Sequence, residues 1–264
     1  MTNTLSEGEI QRQREITRLS IKTALLLLQH GAESTLVVQM ATRLGLALGV
    51  DSVECVLTTN GVMLTTLYKD NCITTVRRNL DKGINMHVVT EVSHIVITAE
   101  HKIFDIHQVR QNLERVKPKK YNRYLVILMV GLSCACFSHL AGGDWAIFGI
   151  TFIASSIAMF IRQELVKYHY NHIIVFAITA FVGSIISGLA LKYQIGNSPE
   201  IALASSVLLL VPGFPLINAL ADILKGYINM GIGRWTLATV LTFGACIGIV
   251  FALSLLQIHS WGGN

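Results

Sequence analysis

The chain has 264 residues, of which 52% are hydrophobic and only 14% charged, with a net charge of +5. Soluble domains average about 25% charged residues, so a wholly water-soluble globule is excluded. Most charged residues lie in residues 1–120, whereas most of the net positive charge comes from the apolar remainder and its flanks. That distribution suits membrane anchoring, and no aromatic-and-basic stripe calls for nucleic acid.

The first half reads as a small α+β domain, residues 1–117. It opens on a polar segment, and its first apolar run, Ala24 to Leu28, is too short for a secretory signal core. This domain is therefore expected to stay in the cytoplasm. Ile16, Leu19, Thr23 and Leu26 fall at helical spacing and predict a helix over 9–29. His30-Gly31 interrupts it, and 33–48 reads as a second helix ending near Gly49. Three β-rich runs follow at 52–59, 62–68 and 72–78, with Asn60-Gly61 and Asp70-Asn71 as hairpin turn signals. A third helix over 84–101 keeps Val88, Val92, Ile95, Ala99 and Ile103 in register, and Asp105 can cap a last helix through Leu113.

Two patterns in this half invite chemistry. His87, Glu91, His94 and His101 share one helical stripe, and such residues can bind a metal. They read better as a solvated face opposite the Val88–Val92–Ile95 stripe, so no metal is expected. Glu33 and His30 could form a hydrolase-like acid/base pair, but Glu33 fits the first turn of the helix that it opens. No phosphate-binding loop exists, which argues against an ATP-driven machine. Cys55 and Cys72 lie where disulfides are rare, and Cys134 and Cys136, two apart within a span, read as packing residues.

The boundary is the basic stretch Lys117-Pro118-Lys119-Lys120-Tyr121-Asn122-Arg123. Beyond it, residues 118–264 read as an all-α bundle of about five transmembrane helices, since about 20 apolar residues cross a bilayer. The spans are 124–140, 145–161, 173–191, 201–224 and 235–256. Lysine and arginine alternate between rich and poor connections, in the phase of a cytoplasmic N-terminus and an external C-terminus. Arg162 and Glu164 close the second span as interfacial anchors. Gly183, Ser184, Ser187 and Gly188 give the third span a close-packing stripe.

The fourth span carries the strongest functional signal. Pro212 and Pro215 lack N–H groups, so the carbonyls of Leu208 and Val211 lose their intrahelical donors. Such a break survives in a membrane only when buried in protein or facing a wet cavity. Asn218 and Asp222, four residues apart, share a face just beyond it. The second half-helix begins near Pro215 with its partly positive end. The backbone N–H groups of Gly213, Phe214 and Leu216, with the Asn218 amide, are candidates to hold a substrate carboxylate. Asp222 suits proton coupling instead, and Lys225, Arg234 and Arg162 are candidate interface or gating residues. The freed carbonyls could alternatively take a cation.

The run Leu-Val-Pro-Gly-Phe-Pro-Leu-Ile-Asn-Ala-x-x-Asp, with Lys225-Gly226 and Gly233-Arg234, resembles the signature of the ThrE threonine/serine exporter family. His30-Gly31-Ala32-Glu33-Ser34, Asn85-Met86-His87-Val88-Val89-Thr90-Glu91 and Gly131-Leu132-Ser133-Cys134-Ala135-Cys136-Phe137 bring the match close to the YjjP-type bacterial inner-membrane subunits. The resemblance covers nearly the whole chain. It implies a split exporter of a small metabolite, succinate in the YjjP-type case and threonine or serine in the ThrE case. It also implies a YjjB-type small membrane subunit as partner; a homo-oligomer and the absence of a cofactor are further expectations of the reading, apart from the resemblance. The implied site is multi-pass in the bacterial inner membrane, with a cytoplasmic N-terminus and a periplasmic C-terminus. An odd number of spans also argues for a partner, because secondary transporters often pair two opposed halves. Two other classes stay open: a membrane-anchored regulator or hydrolase-like enzyme acting through residues 1–117, and a passive channel.

Overall fold

The computed structural model describes residues 6–80 and 82–258. The chain divides into two compact units, Met1–Lys120 with Phe214–Trp235, and Tyr121–Gly213 with Thr236–Asn264.

In the first unit, α1 (Glu7–Gln29) starts on a capping box in which Ser6 and Glu9 satisfy each other's backbone N–H groups. After the turn at His30–Glu33, α2 (Ser34–Leu48) runs to Gly49. Three strands, β1 (Ser52–Thr58), β2 (Gly61–Tyr68) and β3 (Asn71–Arg78), form an antiparallel sheet in the order β1-β2-β3. Both hairpin turns sit one residue earlier than the dipeptide signals suggest. Gly61 pairs with Thr58 and Asn71 with Tyr68, so the turn residues are Thr59-Asn60 and Lys69-Asp70. Lys69 and Asp70 both take positive φ, 45° and 65°, as a two-residue hairpin turn needs. Asp51 holds the second turn by accepting the Lys69 N–H at 2.7 Å.

One face of the sheet is buried through Val53, Leu57, Val62 and Leu64. Gln13, buried on α1, donates to the carbonyls of Thr66 at 3.1 Å and Asn71 at 2.8 Å, which ties the helix to the sheet. Helix α3 (Met86–Glu100) buries Val88, Val92, Ile95 and Ala99 as its spacing predicts. Ile103 lies past its end and is exposed. Asp105 caps α4 (Ile106–Arg115) by accepting the Gln108 N–H at 2.8 Å.

The second unit holds α5 (Arg123–Leu140), α6 (Trp145–Lys167), α7 (His172–Lys192) and α8 (Pro199–Ser206). The 3-10 turn Leu208–Leu210 follows, then Val211 and Pro212 outside any helix, then α9 (Gly213–Leu224). The fourth apolar run is thus broken. The last helix, α10 (Ile228–Leu255), starts seven residues before the predicted 235. It contributes to both units. Among the described residues, four helices are long and apolar enough to cross a membrane, or five if the bent pair is one span.

Small residues set the packing of the second unit. A Cβ on Gly248 would lie 2.1 Å from the Ala177 carbonyl oxygen, so α7 and α10 touch backbone to backbone. Ser187 bonds the Ser206 hydroxyl at 2.9 Å and a Cβ on Gly183 would meet Ala158 at 3.5 Å, so the predicted stripe packs α7 against α8 and α6.

Candidate functional site

Within the first unit, the α1–α2 turn and the α9–α10 corner are held together by polar contacts. Met230 and Tyr227 of that corner also join the unit's apolar core, which brings the chain back to the turn. Asp222 is 0% exposed. Its two oxygens accept the Ser34 N–H at 3.1 Å and the Ser34 hydroxyl at 2.9 Å. Arg234 Nη1 stands 3.0 Å from Asp222 Oδ2 as an ion pair. The same guanidinium donates through Nη2 to the Ala32 carbonyl at 2.8 Å. Asn218 donates to the Gly31 carbonyl at 3.0 Å, and Lys225 pairs with Glu33 at the exposed rim.

Local sequence explains why the turn can be gripped. Gly31 has φ +88°, which frees its carbonyl from the α1 ladder and is strained for any side chain. A Cβ there would press on Ile84 at 3.1 Å and on the Phe214 ring at 3.3 Å. Ser34 is the first residue of α2, so its N–H has no intrahelical acceptor and turns to Asp222. A carboxylate is favoured there by the helix dipole as well.

The break itself resolves differently from the simple proline argument. The Leu208 carbonyl accepts the Val211 N–H at 3.1 Å, and the Val211 carbonyl accepts the Gly213 N–H at 2.8 Å. Each carbonyl thus has a local donor and keeps a second lone pair, and the Gly213 N–H is already committed. The carbonyl that meets an outside donor is Leu209, which accepts Arg162 Nη1 at 3.2 Å. Arg162 is half-buried, lies 5.1 Å over the Phe176 ring and lines a cavity of about 330 Å³ that opens on the surface of the second unit, where Ser133, Phe137 and Leu208 are exposed. It faces this cavity and the 3-10 turn, where an interfacial anchor was expected. Glu164, expected beside it as an anchor, pairs instead with Arg123.

Asn218, Asp222, Lys225 and Arg234 come together, but around the 31–34 turn. Phe214 touches Gly31 from the start of α9, and Leu216 and Pro215 sit in the same first turn. Pro212 precedes the helix and marks the break. His30 does not face Glu33 as an acid/base pair would, because its Nδ1 bonds the Leu26 carbonyl at 2.8 Å and Glu33 is taken by Lys225. Among the described residues no group of three or more His, Cys, Asp or Glu could hold a metal, and all five cysteines are free thiols. Ser34 was missed as a site residue. Its one signal was its place in the His30–Ser34 motif.

Among the described residues, an α+β part with four helices long and apolar enough to cross a membrane, and a broken apolar pair that could make a fifth, fits a multi-pass membrane protein. The family model described as "Putative threonine/serine exporter", ThrE, matches residues 18–256. The chain belongs to the ThrE family. A protein of Klebsiella aerogenes is 52% identical over 256 residues, covering 97% of this chain and 99% of its own length. One of Escherichia coli K12 is 52% identical over 254 residues, covering 96% and 99%. Both are named "Probable succinate transporter subunit YjjP". An "Uncharacterized protein" of Haemophilus influenzae is 61% identical over 143 residues, 54% of this chain and 48% of that protein. No solved structure matches. The family is one of transporters, and the chain is not an enzyme.

Proposed function

We propose that this chain is one subunit of a secondary exporter of small carboxylates, with succinate as its substrate. A YjjB-type small membrane protein supplies the rest of the pathway. The observation that carries the reading is the interruption of the fourth apolar run at Val211–Pro212 in a ThrE-family chain. Broken helices at mid-membrane are where secondary transporters build their sites. The names of the two 52% identical relatives favour succinate over threonine or serine. They also favour a partner, since each is called a subunit.

In this reading the protein lies in the bacterial inner membrane, with the first unit's N-terminal part in the cytoplasm and the C-terminus in the periplasm. A proton gradient drives the cycle, and no cofactor takes part. Asp222 is the coupling group. A proton taken up there would cost the contacts with Ser34 and Arg234, and so loosen α9 and α10 from the 31–34 turn. Gly213 spends its N–H on the Val211 carbonyl, whereas Asn218 spends one amide N–H on Gly31 and keeps the second as a candidate substrate donor. Phe214 and Leu216 keep a supporting place in the first turn of α9.

The test is efflux of labelled succinate, threonine and serine from cells that express this chain, the partner, or both. Both together should export succinate faster than either alone. Export of threonine or serine instead would move the reading to the amino-acid branch. Equal efflux in all strains would overturn it.

A further inference from the structure

We propose that the cavity around Arg162 is where this chain grips a carboxylate group of its substrate. This rests on the exporter reading above and gives it an anchoring residue. Three arginines lie beyond residue 120, and two of them meet a carboxylate: Arg123 pairs with Glu164, and Arg234 with Asp222. Arg162 meets none among the described residues. Its one hydrogen bond goes to the neutral Leu209 carbonyl, and its other close contact is the face of Phe176.

A guanidinium carries five donors, so a single carbonyl leaves most of its capacity for another acceptor. A charge removed from water and left without a counter-ion is costly, and within an apolar segment it marks a functional site by default. Arg162 lies five residues from the end of α6, or about 7.5 Å along the axis. An arginine so placed ordinarily extends to the headgroups. Here it turns inward onto the 3-10 turn that precedes the break.

The cavity suits a short-chain acid. Its volume of about 330 Å³ lies at the small end of the range for ligand pockets, about 300–1,000 Å³. Phe137 and Met159 give apolar wall for a methylene chain, and Ser133 and Cys134 add polar or polarisable atoms. Planar guanidinium matches carboxylate in a two-bond fork, which a lysine cannot reproduce. A carboxylate arriving at Arg162 would compete with the Leu209 carbonyl. Binding would thereby act on the turn at the break, which is where a transport cycle needs leverage.

Ser133 gives a direct reporter position, because it lines the same cavity and is exposed. The experiment uses Ser133→Cys in the full chain with its partner in membrane vesicles, with Cys55, Cys72, Cys134, Cys136 and Cys246 replaced by alanine. Labelling of the introduced thiol by a small methanethiosulfonate should slow in the presence of succinate and not in the presence of uncharged succinamide. Arg162→Gln can still donate to the Leu209 carbonyl, so it separates charge recognition from support of the turn. It should abolish the protection. Arg162→Lys should raise the KM for succinate about tenfold, the loss of one bidentate contact, with kcat little changed.

Protection that persists in Arg162→Gln, or an unchanged KM in both variants, would overturn the assignment while succinate export by the wild-type pair left the exporter reading intact. Loss of partner co-purification in the variants, with KM unaltered, would also overturn it, by showing that Arg162 serves a carboxylate of the partner. Failure of the wild-type pair to move succinate is a separate result, and it strikes the exporter reading itself.

Discussion

Ser34 and Asp222, 188 residues apart, meet through two hydrogen bonds, one from the Ser34 N–H and one from its hydroxyl. Two sequence motifs that look independent are therefore halves of one clamp. One supplies an open helix start and two turn carbonyls, and the other supplies a buried carboxylate, an amide and two cations. Removing the Ser34 hydroxyl should test how much the clamp holds. Ser34→Ala deletes a charge-assisted bond and should cost about 2 kcal/mol. The check is a lower melting temperature of the purified protein in detergent, and an unchanged value contradicts the clamp.

Asp222→Asn removes the charge that Arg234 faces and should destabilise by about 3 kcal/mol. Because the amide imitates a protonated carboxyl, export in this variant should no longer follow an imposed proton gradient. Gradient-dependent flux at the wild-type level would remove Asp222 from the coupling role.

Gly31 should tolerate no side chain. Gly31→Ala puts an alanine at φ +88° and a Cβ at 3.1 Å from Ile84, for a cost of about 2 kcal/mol. Thermal melting reads the loss directly, and a neutral substitution would show that the turn can relax.

Two glycine-to-alanine changes in the second unit should differ in cost, one at the α7–α10 contact and one where α7 meets α6. Gly248→Ala places a methyl 2.1 Å from the Ala177 oxygen, which forces the helices apart and should cost about 2 kcal/mol. Gly183→Ala meets Ala158 at an ordinary 3.5 Å and should cost less than about 1 kcal/mol. Equal effects would contradict the packing.

Burial pushes the Cys55 thiol up to about 11. The neutral form then dominates below that pH, and at pH 8 only about one thiol in 1,000 is thiolate. Iodoacetamide should modify Cys55 far more slowly than the exposed Cys72, with a rate still climbing as pH passes 9 and 10. Comparable rates at pH 8 would show that Cys55 is not enclosed.

Much of the first unit can be read from periodicity. Val88, Val92, Ile95 and Ala99 form a buried stripe at helical spacing, and Asp105 caps as its residue type suggests. The hairpin turns shift by one because a dipeptide signal cannot say whether its glycine or asparagine ends the turn or starts the next strand. The start of α10 was placed late because Gly231, Gly233 and Arg234 dilute the apolar pattern ahead of Trp235. That dilution is itself the trace of the clamp, whose polar residue needs a helix to hold it. Asp222 was singled out by its place after the break, but its partner lies too far along the chain for any local pattern. Arg162 read as an anchor because a charge near a span's end snorkels more often than it turns inward. The direction of one side chain is decided by the space left by α5, the 3-10 turn and α7.

The central claim is that this chain, with its partner, carries small carboxylates across the membrane. The most direct measurement is counterflow of labelled succinate in vesicles containing the two purified proteins. The account predicts saturable accumulation that an opposing proton gradient changes and that needs both chains. Uptake no greater than in empty vesicles, with both proteins folded and associated, would contradict it.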